Sequence, residues 1–174
     1  GVGINEDRYK AKFANIPVPQ TWEDLLNPAY KGEIVLTNPV SSSTAYLFVE
    51  GQLQNRGWDE GWKYLTSLSE LVGQFPDSGS APAKLVGTGE YTIGIAYIHS
   101  IAKYRAEGFN VSMIAPAHTV GDVDCISILK GAKNMDAAKK FVDFMLSKEA
   151  QELAVKELAA HKYPASKFVG TSNV

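Results

Sequence analysis

Short apolar runs alternate with amphipathic stretches along this chain, and the alternation predicts strands and helices in turn. "GVGIN" reads as a short strand. "TWEDLLNP" reads as a short helix, with Thr21 as its cap, Asp24 three residues on and Pro28 as its stop. "EIVLT" is a buried strand. From Ser43 the apolar positions Tyr46, Leu47, Phe48 and Leu53 fit one helical face that ends near Gly57. Asp59 is then expected to cap a second helix carrying Trp62, Leu65, Leu68 and Leu71.

The second half repeats the rhythm. "LVGQF" is a strand, followed by a short helix with Ser80 as cap and Pro82 in its first turn, where a missing N–H does no harm. "YTIGIAY" is the most strand-like run, and "SIAKYRAEG" a helix with Gly108 at its C-terminal end. "VSMIAP" and "VDCISIL" complete the strands. Ala138, Phe141, Val142 and Met145 then mark a long amphipathic helix, with another from Ser147 and an irregular tail, "HKYPASKFVG". Strands separated by helices predict an α/β fold with a largely buried sheet.

Composition narrows the function classes. The chain has 174 residues, 45% hydrophobic and 21% charged, which is the balance of a globular domain. A net charge of −2 argues against nucleic acid, whose phosphates need a basic face. Runs such as "IGIAYI" are too short to insert in a membrane. The one cysteine, Cys125, is expected as a small buried hydrophobe in its strand.

The candidate chemistry lies in three polar clusters, each following a strand and preceding a helix. They are Ser41 to Thr44, Ser78 to Ser80, and Tyr97 to Ser100. In an open α/β sheet such turns share one edge, and the helix N-termini there carry unpaired N–H groups that suit an anion. One hydroxyl suffices to cap a helix, so four in a row, Ser41 to Thr44, leave three hydroxyls that capping does not explain. In the second cluster Ser78 and Ser80 flank Gly79, which permits close backbone approach. Asp77 would repel an anion and is expected to face solvent. If the strand continues through "AYIHS", Tyr97 and His99 share one side of it, with a phosphate or a metal as the groups they could hold. The bland alternatives are capping for Ser80 and a surface position for His99.

Three segments, "PQTWEDLLNPAYKGEIVLTNPVSSSTAY", "DSGSAPAKLVGTGEYTIGIAY" and "ILKGAKNMDAAKKFVDFMLSKEAQEL", resemble the periplasmic solute-binding proteins of bacterial ABC importers. Within that family they are most similar to the ferric-iron, phosphonate and sugar-phosphate branch. The resemblance implies the type II periplasmic-binding-protein fold, a three-layer lobe with a central mixed, mostly parallel sheet flanked by helices. It implies that residues 1–174 form one α/β lobe, the second of two. Hinge strands are placed near 1–5 and 117–129, and C-terminal helices over 134–160. On this reading the leader and first lobe are absent, and truncation leaves apolar surface that favours a homodimer.

The same resemblance implies a small anionic ligand, or Fe(III) with an anion, held by Ser42, Ser43, Thr44, Ser78, Gly79, Ser80, Tyr97 and His99. It implies an ABC permease as partner, an extracytoplasmic location, and weak binding by the lobe alone. Iron-binding members carry adjacent tyrosines near "AYIHS"; here Ile98 separates Tyr97 from His99. No spacing among His99, His118 and His161 resembles a zinc site. Asp122 and Asp124, alternating about Val123, would share one strand face in a hinge or surface role rather than bind metal. No resident cofactor and no catalytic residue is expected, since neither a nucleophile elbow nor a dinucleotide fingerprint occurs. Two other readings stand beside this one: a co-inducer domain of a transcription regulator, and a lobe that only self-associates.

Overall fold

A computed structural model of the chain describes residues 1–121 and 125–160. It comprises two compact units, Gly1–Gly121 and Asp122–Val174.

The first unit is built on a sheet of five strands: β1 (Val2–Asn5), β2 (Ile34–Leu36), β3 (Val72–Gln74), β4 (Ile93–Ile95) and β5 (Val111–Ile114). Their order is β3-β2-β4-β1-β5. β2 pairs in parallel with both β3 and β4, while β1 runs antiparallel to both β4 and β5. Four strands therefore point one way and β1 points against them, the mixed, mostly parallel arrangement expected.

Among the described residues, five α-helices of the first unit connect and flank the strands: α1 (Glu6–Phe13), α2 (Ser43–Arg56), α3 (Trp58–Ser69), α4 (Ala81–Gly87) and α5 (Ile98–Ala106). Two more, α6 (Met135–Leu146) and α7 (Lys148–Ala160), belong to the second unit. Strand alternation sorts the core into two layers. Ile34 and Leu36 join Val2, Ile4, Ile93 and Ile95 against Tyr9, Phe13, Phe48, Leu65 and Leu68 of α1, α2 and α3. Val35 lies with Ala83, Val86 and Ile101 of α4 and α5. Both faces of β2 are buried, which explains its unbroken apolar run. Glycines let the second layer close on the sheet. A Cβ on Gly94 would sit 2.7 Å from Val86 Cγ2, and one on Gly3 would sit 2.9 Å from Ile101 Cδ1.

The apolar pattern did not single out α1, because only Tyr9 and Phe13 of its eight residues are buried. Its start is fixed instead by Asn5, whose Oδ1 accepts from Arg8 N at 2.9 Å while its Nδ2 donates to Val86 O at 2.9 Å. The expected helix "TWEDLLNP" is a 3-10 turn, Glu23–Leu26. Thr21 and Asp24 bond each other's backbone N–H as predicted, but Pro28 opens a second 3-10 turn rather than ending the first. Gly57, not Asp59, occupies the N-cap of α3, and Asp59 lies in the first turn.

The second unit holds α6 and α7, with Ser147 Oγ accepting from Ala150 N at 3.2 Å between them. The expected strand "VDCISIL" does not form over Cys125–Leu129, which carry no regular structure. A strand needs a ladder partner, and none pairs there among the described residues. Cys125 is accordingly exposed rather than buried. Residues 122–124, and with them Asp122 and Asp124, lie outside the described residues, as do His161 and the tail.

Candidate functional site

The parallel strands decide where the site is. β2, β3 and β4 all end at one edge of the sheet, and each leads through a short polar turn into a helix: β2 into α2, β3 into α4, β4 into α5. The three polar clusters of the sequence therefore share an edge.

The first two clusters meet directly. A Cβ built on Gly79 would lie 2.9 Å from Ser42 Oγ and 2.9 Å from Thr44 Oγ1, so only a glycine leaves both hydroxyls undisturbed. Thr37, fully buried at the end of β2, donates from Oγ1 to Ser78 O at 3.4 Å and ties the turns together. Asn38 N donates to Pro76 O at 2.9 Å. Ser41 is spent on this framework: its Oγ lies 3.1 Å from Asp77 O and 3.1 Å from Asp77 Oδ1. Asn38 Nδ2 adds a bond to Asp77 Oδ1 at 3.3 Å. Asp77 is exposed as expected, yet it is tied into the turn rather than left to solvent.

The expected capping does not occur. Ser42 occupies the N-cap of α2, Ser80 that of α4 and Tyr97 that of α5, and none of the three side chains bonds its helix. Ser80 instead pairs with Ser78, Oγ to Oγ at 3.2 Å. Among the described residues, the hydroxyls of Ser42, Ser43 and Thr44 make no hydrogen bond within the protein. The first intrahelical bond of α2 runs from Tyr46 N to Ser42 O, so the amides of Ser43, Thr44 and Ala45 lack an intrahelical acceptor. Unpaired amides and hydroxyls at the positive end of a 14-residue helix dipole are the kind of donors that suit a small anion.

Tyr97 and His99 reach the same edge by a different route from the one expected. β4 stops at Ile95, and Tyr97 begins α5, so alternation along a strand does not pair them. Their rings stack instead, with centroids 5.2 Å apart and planes 17° from parallel. Tyr97 is half-buried and His99 exposed. Lys84 lies exposed on α4. Sequence reasoning passed over Thr37 and Asn38, although "TN" directly after the "EIVL" run marks the strand end from which a site is built. No group of three or more His, Cys, Asp or Glu able to hold a metal ion occurs among the described residues.

This chain is 38% identical to the periplasmic binding protein AfuA from Actinobacillus pleuropneumoniae, whose structure was solved with exogenous fructose-6-phosphate bound. The TM-score is 0.81, and the match covers 95% of this chain and 50% of that one. An uncharacterized protein of Haemophilus influenzae is 39% identical over 158 residues, 90% of this chain and 45% of that protein. The phosphoglycerate transport regulatory protein PgtC of Salmonella typhimurium is 25% identical over 168 residues, 95% and 41% respectively. The chain thus spans about half the length of the relatives it matches. A family model described as bacterial extracellular solute-binding protein matches residues 1–173. With a mixed five-stranded lobe, an open donor edge and a match along nearly its whole length, the chain belongs to the bacterial extracellular solute-binding protein family.

Proposed function

We propose that this chain carries part of the solute site of an ABC importer's binding protein, and that the solute is a small organic phosphate or phosphonate. The observation behind the reading is the set of unbonded hydroxyls of Ser42, Ser43 and Thr44 around an uncapped α2, closed over by Gly79. Such a cradle supplies neutral donors, and each bond to a charged oxygen is strengthened by that charge. The fructose-6-phosphate in the AfuA structure and the name phosphoglycerate in PgtC support the same ligand class. Tyr97 and His99 offer a ring stack and further donors beside the cradle. Ferric iron with an anion would use the same edge, and the donor set favours the anion.

On this reading the protein works outside the cytoplasmic membrane and delivers its solute to an ABC permease, with no chemistry performed on the solute. Because the donors come from one sheet edge, the chain by itself binds weakly. Homodimer formation belongs to the same proposal. The exposed Phe141, Phe144 and Leu146 of α6 supply apolar surface for it.

The test is a titration of the chain with fructose-6-phosphate, with fructose as the uncharged control, followed by amide NMR shifts. Saturable shifts at Ser43, Thr44 and Gly79 with the phosphate alone are expected. Gly79→Ala should weaken binding by about tenfold or more while leaving the urea midpoint nearly unchanged, because the hydroxyls it displaces can rotate at little cost. Equal shifts with fructose, or full binding by Gly79→Ala, would reject the site.

A further inference from the structure

Asp77 presents a contradiction that the site itself does not resolve. It is a carboxylate adjoining Ser78 and Gly79, at the rim of a cradle whose other members are neutral, where its charge opposes an anion. Simple repulsion would favour turning it to solvent. Instead its Oδ1 accepts from Ser41 Oγ at 3.1 Å and from Asn38 Nδ2 at 3.3 Å. Both donors belong to the β2–α2 turn, while Asp77 belongs to the β3–α4 turn.

The bonds reach further through Asn38. Its carbonyl accepts from Ser41 N at 3.2 Å and from Ser42 N at 3.1 Å, and its Oδ1 accepts from Val40 N at 3.0 Å. Asn38 therefore sets the backbone that delivers Ser42 to the N-cap of α2, and Asp77 holds Asn38 and Ser41 together. Across the same gap, Gly79 approaches Ser42 and Thr44. This cross-brace joins the two halves of the cradle alongside the bonds from Thr37 Oγ1 to Ser78 O and from Asn38 N to Pro76 O.

We propose that Asp77 is a positioning residue for the anion cradle, bracing the turn that carries Ser42 to Thr44 against the turn that carries Gly79. The inference rests on the anion site proposed above. What the brace needs is an acceptor at Oδ1, and the negative charge is a cost to binding that accompanies it. Asparagine keeps the side-chain acceptor and drops the charge; alanine drops both, leaving Asn38 Nδ2 unbonded there and Ser41 Oγ only the residue-77 backbone carbonyl, 3.1 Å away. The two substitutions are therefore expected to move affinity in opposite directions, which a purely electrostatic role or a purely structural one does not produce.

The experiment compares the chain with its Asp77→Asn, Asp77→Ala and Ser41→Ala variants by amide hydrogen exchange and by NMR titration with inorganic phosphate. In Asp77→Ala and Ser41→Ala, the Ser41 and Ser42 amides should exchange about five- to tenfold faster, the loss of one modest hydrogen bond. In Asp77→Asn they should stay within about twofold of the parent rate. Phosphate should bind Asp77→Asn about two- to threefold tighter at low salt, with the gain fading as salt is raised. It should bind Asp77→Ala about threefold weaker or worse, although the same charge is gone. Parent-like exchange in Asp77→Ala, or exchange in Asp77→Asn as fast as in Asp77→Ala, would overturn the brace. If phosphate shifts no amide in any of the four proteins, the anion site is wrong, and the exchange rates still decide the brace on their own.

Discussion

Neutralising Glu33 should cost stability at neutral pH and cost much less in acid. Glu33 sits just before β2, its side chain 13% exposed, and three donors converge on it. Arg8 Nε bonds Oε2 at 2.8 Å and Arg8 Nη2 bonds Oε1 at 3.0 Å, a two-point pairing. Thr92 Oγ1 donates to Oε2 at 2.6 Å, and Lys12 Nζ pairs with Oε1. The cluster joins α1, β2 and the turn before β4. Burial alone would push the carboxyl up, but the bonds from Arg8, Lys12 and Thr92 outweigh it and bring its pKa from 4.5 down to about 2.

At 1.36 kcal/mol per pH unit that difference corresponds to ~3 kcal/mol. Arg8 and Lys12 are 31% and 42% exposed, so solvent screening reduces the expected contribution to about 2 kcal/mol. The sign follows from a lowered folded-state pKa. The contribution is complete above the ordinary carboxylate value and disappears as pH falls from there through about 2. Glu33→Gln removes the ionisation, so the gap in unfolding free energy between parent and variant isolates this group from every other carboxylate. Urea unfolding at pH 7, 5, 4, 3 and 2.5 gives the gap. All three tryptophans, Trp22, Trp58 and Trp62, lie in the first unit, so their fluorescence reports that unit alone. The gap should be about 2 kcal/mol at pH 7 and should narrow by most of that amount at pH 2.5. A gap that stays constant within about 0.5 kcal/mol across the range would refute the reasoning, because the cluster would then be stabilised by packing rather than by charge.

Gly94→Ala should destabilise the chain by about 1–3 kcal/mol in the same assay, because its Cβ would meet Val86 Cγ2 at 2.7 Å and Pro82 O at 3.1 Å in a filled layer. A neutral effect would mean that α4 can shift away from β4. His118→Gly should be neutral to stabilising by up to about 1 kcal/mol, because His118 adopts φ 60°, which costs a residue with a Cβ. Its structural contribution is a backbone carbonyl that accepts from Asn55 Nδ2 at 3.1 Å, which glycine retains; a loss beyond about 1 kcal/mol would assign its side chain a role.

The elements that were legible in the sequence are those whose signal is local. β2 announced itself by a short apolar run, α2 and α6 by apolar spacing, and α4 by Pro82 in its first turn. α1 was not legible because two buried aromatics in eight residues fall below any periodic pattern, and its start depends on Asn5 reaching Val86, 81 residues away. "VDCISIL" failed for the converse reason. Its apolar content suits a strand, but a strand also requires a neighbour, and composition says nothing of neighbours.

The same division runs through the site. That Ser41 to Thr44 follow a strand and precede a helix was enough to place them at the edge where the parallel strands end. Whether a hydroxyl there caps the helix or faces outward was not decidable from those four residues. Serine at an N-cap ordinarily bonds the amide of the second or third helical residue. Ser42 does not, and what lies across from it is Gly79, thirty-seven positions on, whose missing Cβ leaves room for hydroxyls turned away from their own backbone. The Ser41 hydroxyl is taken by Asp77 of the opposite turn rather than by the helix. Four similar residues thus divide into one that builds the frame and three that remain open. The division is made by a partner from another strand, so an adjacent run of hydroxyls can locate a binding edge while only the facing turn assigns the roles within it.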